Sequence, residues 1–130
     1  MGSVEESEPS GFASCPCQGA TVTRFVQPLI LSVLVEADAH GYEILQRILA
    51  TRLLGDEPPS EAGVYRTLRE MAKRGLVASQ WDTTGSGPAR NVYRLTADGR
   101  RCLALWRDTI ASYRSYLGRL HQRIGTVLDG

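Results

Sequence analysis

The sequence predicts a mainly α-helical chain with one small β-hairpin, on three observations. Apolar residues recur at helical spacing over three separate segments between Phe25 and Lys73. Two short runs rich in Val, Trp, Tyr and Leu follow, divided by the glycine-bearing stretch Thr83 to Ala89. Beyond them one apolar stripe continues almost to the end of the chain without a break.

Residues 1–19 are rich in Ser, Glu, Gly and Pro and show no apolar period. They bury too little to offset the entropy of ordering them, so a flexible arm is expected. From Phe25 to Ala37 almost every position is apolar, and Pro28 is tolerable only in a first helical turn, which predicts a buried helix. Asp38-Ala39-His40-Gly41 interrupts it with residues suited to capping, and Tyr42, Leu45, Ile48, Leu49 and Leu53 then recur at the spacing of a second helix. Here His40 reads as a hydrogen-bonding residue at the helix start rather than a catalyst.

Gly55-Asp56-Glu57-Pro58-Pro59 breaks the chain again. Ser60 is placed to cap a third helix beginning at Glu61, whose charge suits the positive end of the helix dipole, and Gly75 ends it. At about 100° per residue Val64, Leu68, Met71 and Ala72 share one face, while Tyr65, Arg66, Arg69 and Lys73 share the opposite one. One side is therefore expected to pack and the other to carry positive charge. Val77–Asp82 and Asn91–Leu95 read as the two strands of a hairpin whose tip is too polar to be buried. Thr96 caps the last helix, with Asp98 in its first turn.

Along that helix Leu103, Trp106, Ile110, Tyr113, Leu117, Leu120, Ile124 and Val127 follow by alternate steps of three and four. A stripe with a period of about 3.5 fits a left-handed supercoil against another helix. No other segment is long enough to be its partner, so the same helix of a second subunit is expected there. Three helices, a hairpin and a further helix make a winged helix-turn-helix domain over residues 20–96, followed by a C-terminal dimerisation helix over 97–128.

Composition narrows the class of function. The 130 residues are enough for one domain with a modest core. The net charge of +1 is small, yet Arg66, Arg69, Lys73, Arg74, Arg90, Arg94, Arg100 and Arg101 crowd the middle, and a local basic face matters more than the sum. Pro28–Val35 is too short to span a bilayer, so no membrane partner and a cytoplasmic location are expected. Cys15, Cys17 and Cys102 cannot all pair within one chain. Cys15 and Cys17 suggest redox or metal sensing, but two thiols do not make a metal site, and reduced thiols are the simpler expectation. No phosphate-binding glycine loop, His pair, nucleophile elbow or carboxylate dyad is present, so neither an enzyme nor a cofactor is expected.

Four segments carry a family resemblance: His40-Gly41-Tyr42-Glu43-Ile44-Leu45, Val64-Tyr65-Arg66-Thr67-Leu68-Arg69, Gly75-Leu76-Val77, and Tyr93-Arg94-Leu95-Thr96 with Gly99. In order and spacing they resemble the signature of the PadR family of bacterial transcriptional regulators, over roughly residues 25 to 105. The resemblance implies a dimeric repressor on a pseudo-palindromic operator, held together by the helix after the wing, of the short subgroup. The Cys15-Pro16-Cys17 arm, Arg24-Phe25 with Pro28, and Gly87-Pro88-Ala89-Arg90 are also similar to PadR-like proteins related to polyhydroxybutyrate-responsive repressors.

On this reading double-stranded DNA is the partner. Arg66 and Arg69 reach phosphates or a guanine edge, with Tyr65 and Lys73 beside them. Ser86 and Arg90 of the wing contact the backbone or minor groove. Trp106 and Tyr113 could hold a small aromatic or hydrophobic effector, although aromatics at such positions are more often packing residues. Two other readings compete: a winged helix that docks a protein, and a carrier of small hydrophobic ligands at the dimer seam.

Overall fold

The computed structural model describes residues 25–53 and 59–130. In chain order the elements are helix α1 (Val26–Glu36), strand β1 (Ala39–His40), helices α2 (Gly41–Thr51) and α3 (Glu61–Lys73), strands β2 (Val77–Asp82) and β3 (Arg90–Leu95), and helix α4 (Ala97–Asp129). The arm expected over residues 1–19, with Cys15 and Cys17, lies outside the described residues, as does most of the break before Ser60.

The helices begin and end where their capping chemistry directs. Ser60 Oγ accepts from the Gly63 amide at 3.0 Å, which satisfies an N–H that the first turn of α3 leaves without an intrahelical partner. At the other end Gly75 takes a left-handed φ of +76°, and Leu76 N donates back to Met71 O, closing the helix. Thr96 does more than cap α4. Its hydroxyl accepts from Gly99 N at 3.0 Å and donates to Leu76 O at 2.9 Å, pinning the start of the long helix to the turn between α3 and β2. That approach requires Gly99, since a Cβ there would lie 2.0 Å from Leu76 O.

Ile30 and Leu31 of α1, Ile44 of α2, Val64, Leu68 and Met71 of α3, and Val77 of β2 are fully buried in one core. Each is worth about 1.5–3 kcal/mol of burial, so the helices form because their apolar faces meet here. The core includes the face of α3 that periodicity predicts, with Ala72 partly buried at its edge.

The sheet differs from the expected two-stranded hairpin. It has three antiparallel strands in the order β1-β3-β2, with Ala39 opposite Tyr93 and His40 opposite Val92. Two residues carry no strand signature of their own. They are held extended because His40 caps α2 with a β-region backbone, and the neighbouring edge of β3 takes up their hydrogen bonds. β3 begins at Arg90, one residue before the expected start.

The apolar stripe of α4 is also divided in a way its periodicity does not show. Leu103 and Trp106 pack against the core of their own chain, and the Trp106 and Tyr113 rings each meet Phe25 edge to face, at 6.2 and 6.3 Å between centroids. Beyond Tyr113, Leu117, Leu120, Ile124 and Val127 are exposed. The first part of the stripe therefore also has a partner within its own chain, namely the start of α1. Among the described residues no helix is long and apolar enough to cross a membrane.

Candidate nucleic-acid interface

Packing one face of α3 into the core leaves the other in solvent, and Arg66, Arg69 and Lys73 all stand there. Among the described residues none of the three has an ion-pair partner, so their charge is uncompensated by contact. Lys73 sits in the last turn, where its charge also suits the negative end of the helix dipole.

Tyr65 departs from the expected exposed face. Its ring lies over Gly41, so close that a Cβ on Gly41 would come within 2.2 Å of it, and the side chain is half-buried against the core. The glycine at the start of α2 and the tyrosine of α3 thus fit as one contact, joining the two helices of the helix-turn-helix. Burial pushes the Tyr65 phenol above its ordinary value, helped by the Glu61 carboxylate one turn earlier. Its hydroxyl accordingly stays protonated and can donate a hydrogen bond.

The half-buried ring faces an open cleft of about 460 Å³ lined by His40, Tyr42, Tyr65, Trp81, Arg90 and Tyr93, among others. Sequence reasoning missed the roles of Tyr42, Trp81 and Tyr93 here. The alternation of Trp81 in β2 and Tyr93 in β3 is the signal that could have placed them on one sheet face.

Arg90 stands on the wing as the first residue of β3, opposite Asp82 and next to the tip, where its guanidinium meets the His40 ring at 3.0 Å. Ser86 is exposed at the tip. The start of that tip is ordered by Asp82, whose carboxylate accepts from the Thr84 amide at 3.0 Å and hydroxyl at 2.6 Å. These bonds, the hydroxyl's first, hold the Asp82 carboxyl below the usual carboxylate range, with Arg90 across the hairpin adding to them.

His40 caps α2 as expected at the sequence level. Its Nδ1 accepts from the Glu43 amide while the Glu43 carboxylate accepts from the His40 amide, a reciprocal capping box. Among the described residues no group of three His, Cys, Asp or Glu side chains is placed to hold a metal ion. Cys102 is half-buried, its sulfur accepting from Gln27 Nε2 at 3.5 Å.

A second, apolar groove of about 540 Å³ runs between α1 and α4, lined by Phe25, Pro28, Leu29, Trp106, Ile110 and Tyr113, among others. Both aromatic residues expected at an effector site, Trp106 and Tyr113, are on its wall.

Residues 30–105 match the transcriptional regulator PadR-like family. The chain belongs to that family. Its members are transcriptional regulators and not enzymes, and the winged-helix fold with a long C-terminal helix is theirs. A PadR family transcriptional regulator from Eggerthella lenta superposes with a TM-score of 0.70 at 27% identity, covering 80% of this chain and 88% of its own. One from Clostridium difficile gives 0.63 at 25%, covering 74% of this chain and 97% of its own. Bacillus subtilis PadR, solved in complex with operator DNA, shares the fold with a TM-score of 0.57 at 22% identity, over 64% of this chain and 46% of that one.

Proposed function

We propose that this PadR-like regulator is a sequence-specific repressor that binds double-stranded DNA as a homodimer on a pseudo-palindromic operator, in the cytoplasm. The observation that carries the reading is the basic face of α3, Arg66, Arg69 and Lys73, held outward because the opposite face is core. A helix so fixed enters a major groove as a rigid unit, with Tyr65 at its edge, while Arg90 and Ser86 of the wing take backbone or minor-groove contacts. The exposed stripe of α4 supports the dimer, which would set two such helices about 34 Å apart, one turn of duplex. The wing segment Gly87 to Arg90 fits the polyhydroxybutyrate-responsive relatives.

Selection of bound fragments from genomic DNA tests the reading. Recovered half-sites one helical turn apart, with affinity falling steeply as salt rises, are the expected outcome. Salt-insensitive or absent binding overturns it, and a stoichiometric protein partner without DNA affinity would replace it with a docking module. The apolar groove beside Trp106 and Tyr113 favours a small aromatic or hydrophobic effector, whose binding would be coupled to DNA through differential affinity for two dimer states. Quenching of Trp106 fluorescence by a ligand that also changes DNA affinity is expected; quenching with no DNA-linked change would point to a carrier.

A further inference from the structure

We propose that His40 is a positioning residue for the wing: its imidazole holds Arg90 where β3 leaves the wing tip, and gives up that hold to cap α2 fully when a duplex phosphate takes the arginine. The second half of this statement rests on the DNA-binding reading above; the first concerns the free protein alone.

Three partners meet on one ring. Nε2 is 3.0 Å from Arg90 Nη1 and 3.0 Å from Glu43 Oε1, while Nδ1 is 3.4 Å from the Glu43 amide nitrogen. The sheet brings this about. His40 pairs with Val92 in register, which puts Arg90 at the diagonal position on the neighbouring strand, within reach of a long side chain. The ring is only 19% exposed, so water competes poorly for its nitrogens.

A neutral imidazole has one N–H and one lone pair, whereas arginine offers donors only. To accept from Arg90, Nε2 must be the bare nitrogen, which puts the proton on Nδ1 facing the Glu43 amide, and the cap is lost. To accept from that amide, Nδ1 must be bare, and Nε2 then carries the proton, donates it to Glu43 Oε1 and confronts Arg90 with a second donor. The neutral ring serves the wing or the helix, one at a time.

The remaining groups around it do not relieve this choice. Tyr42 from α2, Tyr65 from α3 and Tyr93 from β3 line the same cleft. Arg47 stands behind Glu43, 3.9 Å from Oε2, and Asp82 faces Arg90 across the hairpin. A phosphate that takes Arg90 frees Nε2 to carry the proton, which it donates to Glu43 Oε1 while Nδ1 accepts from the Glu43 amide. The hold on Arg90 therefore competes with the duplex for the arginine.

Two substitutions separate the two duties. The oxygen of His40→Asn lies where Nδ1 does and can cap α2 but cannot reach Arg90, while that of His40→Gln lies where Nε2 does and can hold Arg90. Nitrogen NMR of the free protein, with the His40 signals identified by their absence in His40→Asn, reads the tautomer directly. In Arg90→Gln the balance is expected to move toward the Nε2–H form, which caps the helix.

Anisotropy with a labelled duplex carrying the selected site then compares the variants with wild type. His40→Asn, which leaves Arg90 free, is expected to bind about five-fold more tightly than wild type, and His40→Gln no more tightly than wild type. An unchanged tautomer in Arg90→Gln, or wild-type affinity in His40→Asn, overturns the proposal. If no duplex binds, the DNA reading fails, and the tautomer comparison alone upholds or overturns the hold on Arg90.

Discussion

The two ends of α4 carry the same apolar pattern and live in different surroundings. At the N-terminal end Gly99 is buried, Leu103 and Trp106 lie against the core, and Phe25 stacks edge to face on Trp106 and Tyr113. At the C-terminal end Leu117, Leu120, Ile124 and Val127 present the same spacing to solvent, on a helix 33 residues and about 50 Å long. Apolar periodicity states that a face will be covered. It does not say by what. The core supplies the cover for the first turns because α1 crosses there, and the last turns outrun every other element among the described residues.

The sharpest way to break this contrast is to charge the far end. In the proposed dimer Leu117→Asp with Ile124→Asp would place four carboxylates across the seam, and should weaken self-association by about 6 kcal/mol or more. Sedimentation at micromolar concentration should find a monomer, while the unfolding temperature of the winged domain in dilute solution stays put. A collapse of that domain instead would mean that the two ends of α4 are one cooperative unit.

Leu68→Ala tests the opposite region and should cost the domain about 2–5 kcal/mol. Because Leu68 is buried within one chain, the loss seen in denaturant titration should not depend on protein concentration. Trp106→Ala falls between the two, as a half-buried residue leaning on Phe25, and should cost about 2 kcal/mol in the same measurement.

Arg69→Ala should leave stability and self-association alone and reduce duplex affinity by about 1–3 kcal/mol. If the residue contacts phosphate, the slope of affinity against salt should also fall by about 1. The smallest effect is expected at the wing. The Asp82 carboxyl is held below its unfolded value, so its contribution is present above the ordinary carboxylate range and is lost as pH falls through the lowered one. An NMR titration of Asp82 in Thr84→Val, which lacks the hydroxyl, should return the carboxyl toward its ordinary value.

Much of the fold is legible in single residues. Ser60 and Thr96 mark helix starts because their oxygens satisfy amides three residues on, and Gly75 marks a stop because the turn there needs a left-handed backbone. The basic face of α3 is legible for the same local reason, a helical period applied to charge. Tyr65 shows where locality ends. The helical wheel assigns it to the exposed side, but Gly41 has no side chain to keep the ring away, so it folds over α2.

The sequence by itself determined which segments are helix and strand, where caps end them and which faces are apolar or basic, since these follow from interactions within a few residues along the chain. Only the tertiary structure decided that Ala39 and His40 add a third strand, that His40 meets Arg90, and that the α4 stripe is shared between α1 and solvent. Those outcomes join residues far apart in the chain, and a periodic pattern records that a surface must be covered without recording which distant surface arrives to cover it.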